Sequence, residues 1–208
     1  MTVETKPRKE RKANANKRRE QLLDATLRSI AANGLAKTTL ATVATEAGLS
    51  QGVAVFYFKS KNGLLTEALR SKYQKYENNW LNAIVANKDD PTAQLVALIQ
   101  ADFVPEICNA ESLAIWHAFW GEQNFTTEFA DVTNEFDNRR AEEMAVVCRK
   151  LMQTSSDEEA NRVAEWIDTM IDGFWFRLHV NADIYTPEGA ASEILTLVER
   201  LIPGFVKT

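Results

Sequence analysis

Apolar residues recur three and four positions apart along nearly the whole chain, and few residues interrupt them. Only 8 Gly and 5 Pro are spread over 208 residues, and there is little of the strict alternation that marks strands. This pattern predicts an all-α protein. The length is enough for one large or two small domains with cores of their own.

The caps divide the chain into about nine helices. Leu23, Leu27, Ile30 and Ala31 make one stripe, over 17–33, closed by Asn33-Gly34. Thr39 is a suitable N-cap for a second helix lined by Leu40, Val43, Ala44 and Ala47. Gly48 stops it, and Ser50 caps a third, Gln51 to Tyr57. Two short helices joined by a tight Gly-containing turn are a helix-turn-helix. A long fourth helix is expected from about Ser60 to Ala86, with further helices at about 92–107, 111–124, 126–153, 157–181 and 187–202. The expected organisation is a basic flexible tail over 1–16, a three-helix DNA-binding domain over 17–61 and a helical domain over 62–208.

The charge is unevenly placed. Residues 1–19 hold eight Lys and Arg against two Glu, a local charge of +6, while the whole chain carries -5, leaving -11 for the rest. Lys6, Arg8, Lys9, Arg11, Lys12, Lys17, Arg18 and Arg19 are therefore either phosphate contacts or a solvated tail. Cys108 and Cys148 have neither pairing nor metal spacing and read as buried thiols of a reducing compartment. No apolar run approaches the length of a membrane span, and the basic start lacks a signal peptide's apolar core. A cytoplasmic protein is expected, with no cofactor and no metal. Two histidines, two isolated cysteines and no phosphate loop make no catalytic constellation, which argues against an enzyme.

The segment Thr38-Thr39-Leu40-Ala41-Thr42-Val43-Ala44-Thr45-Glu46-Ala47-Gly48-Leu49-Ser50-Gln51-Gly52-Val53-Ala54-Val55-Phe56-Tyr57-Phe58-Lys59-Ser60-Lys61 resembles the TetR family of repressors over about residues 17–65. That resemblance implies a third helix that enters the major groove, and a DNA-facing set of Thr39, Ser50, Gln51, Gly52, Val53, Val55, Phe56, Tyr57 and Lys61. Gln51 suits adenine, Gly52 permits close backbone approach, and Tyr57, Lys61 and Thr39 suit phosphate. Val55 stands where the family usually has Tyr, which leaves the operator sequence open.

The C-terminal half carries aromatic runs, Trp116-His117-Ala118-Phe119-Trp120 and Phe174-Trp175-Phe176. Such stripes are more often core than ligand box. The stretches 113–120 and 171–178 are similar to the BetI-type subgroup of the same family, which responds to choline. The resemblance implies a site for a quaternary ammonium, which aromatic faces and a carboxylate bind well. Its candidates are Phe103, Trp116, Phe119, Trp120 and Trp175, with Asp172 or Glu122 as charge partner and Tyr73 and Tyr76 closing the pocket. His117 and His179 read as ordinary polar or interface residues. The resemblance also implies a homodimer through the last two helices, built on Ile167, Ile171, Phe174, Leu178, Ile194, Leu195, Leu197, Val198, Leu201 and Ile202, that binds a palindromic operator and is released by a small-molecule effector. The fourth helix would be the lever between pocket and reading head. The rival expectation is a regulator of the same family that answers to an apolar or aromatic compound.

Overall fold

A computed structural model describes residues 8–153 and 155–206, with side chains from residue 12 onward. Among these residues the chain is all-helical: α1 (Arg8–Lys37), α2 (Leu40–Glu46), α3 (Gln51–Phe58), α4 (Lys61–Ala86), α5 (Pro91–Ala101), α6 (Ala110–Glu122), α7 (Thr127–Leu151), α8 (Asp157–Val180) and α9 (Pro187–Leu201). They form two compact units, one up to Ser71 and one from Lys72. The division between these units lies inside α4.

The N-terminal unit is built on a core of Leu22, Leu23 and Ile30 from α1, Val43 and Ala44 from α2, Ala54 and Phe58 from α3, and Leu64, Leu65 and Leu69 from α4, all buried. Helical geometry breaks at Gly34, whose φ of 76° an L side chain adopts only with strain. The hydroxyls this turn buries are satisfied locally. Thr38 Oγ1 donates to the Gly34 carbonyl at 3.0 Å and lies 3.0 Å from Ser29 Oγ.

α1 starts at Arg8 rather than at residue 17. The cause is local: residues 8–16 are only Arg, Lys, Glu, Ala and Asn, with no breaker, and most of these are good helix formers. The expected phosphate contacts at Lys6, and at the side chains of Arg8, Lys9 and Arg11, lie outside the described residues.

In the C-terminal unit α7 packs on α8 and α5, α6 packs on α8, and α9 packs on α8 and α5. Side-chain caps set the helix starts. Asp90 accepts from Thr92 N and Ala93 N, Asn109 from Ser112 N, Ser156 from Glu159 N and Thr186 from Gly189 N. Pro91 and Pro187 occupy first-turn positions, where no backbone donor is missed. α5 ends at Ala101, short of the expected 107. Pro105 has no N–H to donate to a continuing helix, and it disfavours helical geometry at the residue before it. The turns over 102–109 then bury Asp102 and Phe103.

The apolar faces of α8 and α9 assigned to a dimer contact are largely used within the chain. Ile167, Ile171, Leu178, Ile194, Leu195, Val198 and Ile202 are all buried. The large apolar side chains that α8 leaves exposed are Trp166, Phe176 and Val180.

Candidate DNA-reading face and ligand cavity

The turn of the helix-turn-helix is held by backbone alone. Gly48 adopts φ 66°, its N–H bonds to the Thr45 carbonyl at 3.1 Å, and the Leu49 N–H reaches back to Ala44 at 2.9 Å. This crossed pair satisfies the end of α2. At the start of α2, Thr39 and Thr42 cap each other, each side chain accepting from the other's backbone N–H. Ser50 begins α3 without a side-chain cap bond, so its hydroxyl is not committed to its own helix.

With Ala54 and Phe58 turned into the core, α3 presents Gln51, Gly52, Val55 and Phe56 outward and leaves Val53 and Tyr57 half-buried. Phe56 is 69% exposed, and the Lys59 ammonium lies 5.3 Å from its ring centre while donating to its carbonyl at 2.8 Å. Lys59, missed in the sequence, has φ 65° without being Gly. A Cβ on Gly52 would meet nothing nearer than Ser50 Oγ at 3.8 Å. No internal contact requires Gly there, although Gly within a helix costs about 0.5–1 kcal/mol relative to Ala. Gly63 is the opposite case: a Cβ there would stand 2.4 Å from the Phe58 carbonyl oxygen, so only Gly fits the α3–α4 corner.

Two residues assigned to phosphate are engaged inside the unit. The Tyr57 hydroxyl donates to the Ala15 carbonyl at 3.1 Å and Lys61 Nζ donates to the Ala36 carbonyl at 2.8 Å. The Lys61 ammonium keeps two further donors. Tyr57 has a single donor, so its bond explains how the N-terminal extension of α1 is tied to α3. Of the basic N-terminal residues with described side chains, Lys12, Lys17 and Arg18 are exposed. Arg19 pairs with Glu67.

The C-terminal unit holds a partly open cavity of about 440 Å³ whose lining includes Tyr73, Tyr76, Trp116, Trp120, Trp175 and Asp172. The three indoles are nearly parallel in pairs: Trp116–Trp120 6.2 Å, Trp116–Trp175 6.0 Å and Trp120–Trp175 6.2 Å between centres, tilted by 18–23°. Tyr73 meets Trp116 edge-on at 4.7 Å, and Tyr76 meets Trp175 likewise at 5.6 Å. Helical spacing accounts for part of this, since Trp116 and Trp120 are one turn apart on α6.

Four of the expected ligand residues, Trp116, Trp120, Asp172 and Trp175, line the cavity. Phe103 and Phe119 do not. Both are buried, and Phe119 sets its ring against Phe129, 5.1 Å away, because it falls on the core side of α6. Glu122 is exposed and outside the lining. Unforeseen were the residues from α7: Thr133, Asp137, Arg140 and Ala141. Their helix carries 10 charged residues in 25 and no aromatic run.

One ion pair anchors the wall. Arg140 Nη2 donates to Asp102 Oδ2 at 2.5 Å, the Tyr76 hydroxyl donates to Asp102 Oδ1 at 2.8 Å, and Trp175 Nε1 donates to the Asp102 carbonyl at 3.1 Å. Two aromatic walls are thus oriented by one buried residue. Burial lifts the Asp102 carboxyl to about 6, opposed by Arg140 and by Tyr76.

Three more carboxylates, Asp137, Asp168 and Asp172, face the same space. Burial, then the neighbouring acids Asp168, Asp137 and Asp102, push Asp172 up to about 7. Burial raises Asp137 to about 6 and raises Asp168 too. Asp137 and Asp172 keep exposed surface, since the cavity is open on one side. Arg140 is the cation among them, and it pairs with Asp102 at 2.5 Å and with Asp168 at 3.6 Å, which leaves Asp137 and Asp172 as the acids without an ion pair to it. An enclosure of aromatic faces with excess acid favours a small cation.

No group of three or more His, Cys, Asp or Glu is set to hold a metal among the described residues. His117 and His179 lie with ring centres 4.5 Å apart, tilted by 34°, and burial lowers the pKa of His117. Cys108 and Cys148 are buried free thiols, pushed up by burial to about 11 and about 12. Among the described residues no helix is long and apolar enough to cross a membrane.

A helix-turn-helix unit followed by a helical unit enclosing an aromatic cavity defines a ligand-sensing type of transcriptional regulator. Residues 22–68 match the family described as bacterial regulatory proteins of the tetR family, and residues 91–203 match the BetI-type transcriptional repressor C-terminal family. The HTH-type transcriptional regulator BetI of Stenotrophomonas maltophilia is 32% identical over 160 residues, 77% of this chain and 80% of that one. The protein of the same name from Burkholderia lata is 33% identical over 77% of this chain and 81% of its own. Among solved structures, a transcriptional regulator of Pseudomonas aeruginosa PAO1 superposes with a TM-score of 0.82 at 23% identity, covering 89% of this chain and 90% of that one. A regulator of Saccharomonospora viridis in complex with choline superposes with a TM-score of 0.80 at 20% identity, covering 90% and 98%. The chain belongs to the TetR family of DNA-binding transcriptional regulators, and its C-terminal region is of the BetI repressor type. It is a regulator, not an enzyme.

Proposed function

We propose that the protein is a cytoplasmic, homodimeric repressor whose effector is choline or a related quaternary ammonium, and that effector binding releases a palindromic operator. The observation that carries this reading is the cavity itself. Three indoles and two phenols border it, and Asp137, Asp168 and Asp172 join them. A quaternary ammonium donates no strong hydrogen bond, so aromatic faces and carboxylates in excess of the one guanidinium are its natural surroundings. The choline complex of the Saccharomonospora viridis regulator supports the same ligand class.

On the DNA side, Gln51, Gly52, Val53, Val55 and Phe56 read bases, with Thr39, Ser50, Tyr57 and Lys61 near phosphate. Exposed Phe56 and the internally unrequired Gly52 support a face that another surface approaches closely. Two such faces would enter successive major grooves about 34–36 Å apart.

The dimer contact is assigned to the outer stripe of α8: Trp166, Met170, Gly173, Arg177 and Val180. Trp166 is exposed, and a Cβ on Gly173 would meet nothing within 4 Å, so no contact inside the chain requires a glycine in this helix.

Titrating choline, betaine aldehyde and betaine against intrinsic Trp fluorescence tests the effector. A saturable change with the cations supports the reading. No response to any of the three, with a response to an apolar aromatic compound, replaces it with the rival ligand class.

A further inference from the structure

Lys72 begins the C-terminal unit on α4. Its ammonium donates to Ser112 Oγ at 2.5 Å and stands 5.4 Å from the centre of the Trp116 indole. Ser112 is buried and fixed from two directions. Its hydroxyl donates to the Ile107 carbonyl at 2.5 Å, and its backbone N–H donates to Asn109 Oδ1 at 2.9 Å. With its proton committed to Ile107, that hydroxyl presents an acceptor lone pair to Lys72. Trp116 lines the cavity and Lys72 does not. The same indole therefore holds a resident cation outside the cavity wall and offers itself to whatever the cavity holds.

Two cations on one ring oppose each other. Their charges repel, and the ring electrons drawn toward one are less available to the other. The repulsion is only partly screened because Lys72 is half-buried. We propose that Lys72 is a specificity-determining residue of the cavity: held against Trp116 by Ser112, its charge opposes a cation bound on the same indole and sets how tightly the cavity takes one. The proposal rests on the reading of the cavity as a cation site.

The charged groups that face Lys72 are Lys75 on α4 and Glu111 on α6. Burial and then Lys75 bring Lys72 down to about 8, with Glu111 opposing. Lys72 is thus mostly charged at pH 7.5 and mostly neutral at pH 9.5, a range in which choline does not titrate.

Calorimetric titration of the full chain with choline at both pH values tests the proposal on wild type, Lys72→Met and Lys72→Arg. At pH 7.5, Lys72→Met is expected to bind choline about fivefold more tightly than wild type, and Lys72→Arg about as wild type does. At pH 9.5, wild type should reach the affinity of Lys72→Met, while Lys72→Arg stays about fivefold weaker. A purely structural role for Lys72 gives no such convergence. Equal affinities for the three proteins at both pH values, or weaker binding by Lys72→Met at pH 7.5, overturn the proposal. Should Lys72→Met fail to fold by circular dichroism, the pair of wild type and Lys72→Arg decides it. Arg weaker than wild type only at pH 9.5 supports the proposal, and equality there overturns it. Absence of choline binding by wild type refutes the cation site itself, and the proposal falls with it.

Discussion

Arg140 donates to the Asp102 carboxylate at 2.5 Å while the two side chains are 7% and 0% exposed. The pair joins α7 to the turn after α5, and through Asp102 it orients Tyr76 and Trp175. Removing Asp102 leaves buried Arg140 with only its longer pair to Asp168, at 3.6 Å. Asp102→Ala is expected to destabilise the protein by about 3–5 kcal/mol, read as a lower urea midpoint with an unchanged slope. It should also abolish choline binding, because two walls of the cavity lose their anchor.

The acids of the cavity make effector binding pH-dependent. With no cation bound, burial and mutual repulsion hold Asp172 near 7 and Asp137 near 6. A bound cation favours their ionised forms, so choline affinity should rise as pH goes from about 5.5 to 8, with protons released on binding. Asp172→Asn should weaken binding at pH 8 and flatten the upper part of the rise. For the ligand-free protein the sign reverses. Carboxyls raised in the folded state contribute stability that is fully present below about pH 4 and lost as pH rises through about 6–7. Choline should therefore raise the melting temperature more at pH 8 than at pH 5.5.

Gly63 is required by geometry at the α3–α4 corner, where a Cβ would meet the Phe58 carbonyl at 2.4 Å. Gly63→Ala is expected to cost about 1–3 kcal/mol and to weaken DNA binding by tilting α3. Gly52→Ala, where the Cβ has room, should be neutral or slightly stabilising by thermal melting and still weaken operator binding. Equal melting temperatures for the two variants would contradict this contrast.

Phe56 separates stability from recognition. It is 69% exposed, so Phe56→Ala should change unfolding free energy by no more than about 0.5 kcal/mol. If Phe56 reads the groove, the same variant should lose about 1–3 kcal/mol of sequence discrimination. Gel shifts against operator and random DNA make that comparison.

The helix-turn-helix was legible in the sequence because its determinants are local. Thr39, Gly48 and Ser50 each act within a few residues, and the core positions of α2 and α3 follow from helical spacing. The cavity was legible only in part. Trp116 and Trp120 share a face of α6 and were foreseen together, while Phe119, one position away, turns into the core. Asp137 and Arg140 escaped notice because they lie on α7, whose meeting with α6 and α8 is set by tertiary packing. The start of α1 was placed late because a basic run reads equally well as helix or tail until Tyr57 is seen to bond to Ala15. Seven of the ten apolar residues assigned to a dimer through α8 and α9 are buried within the chain, because periodicity marks a buried face but not which neighbour buries it.

A dimer that uses the outer stripe of α8 has a simple test in Gly173→Trp. Gly173 is exposed and a Cβ there meets nothing within 4 Å, so the monomer should stay folded. Analytical ultracentrifugation should then find the variant monomeric where wild type sediments as a dimer, and a Gly173→Trp protein that remains dimeric would move the contact elsewhere.

The central claim is that filling the aromatic cavity with a quaternary ammonium weakens DNA binding. It is tested most directly by fluorescence anisotropy on a labelled fragment from upstream of the protein's own gene, titrated with choline at pH 8 in wild type and Trp120→Ala. The expected result is a saturable loss of DNA affinity in wild type, shifted to at least about tenfold higher choline in Trp120→Ala. DNA affinity that is indifferent to choline in wild type, or lost equally in the variant at the same concentration, would contradict the claim.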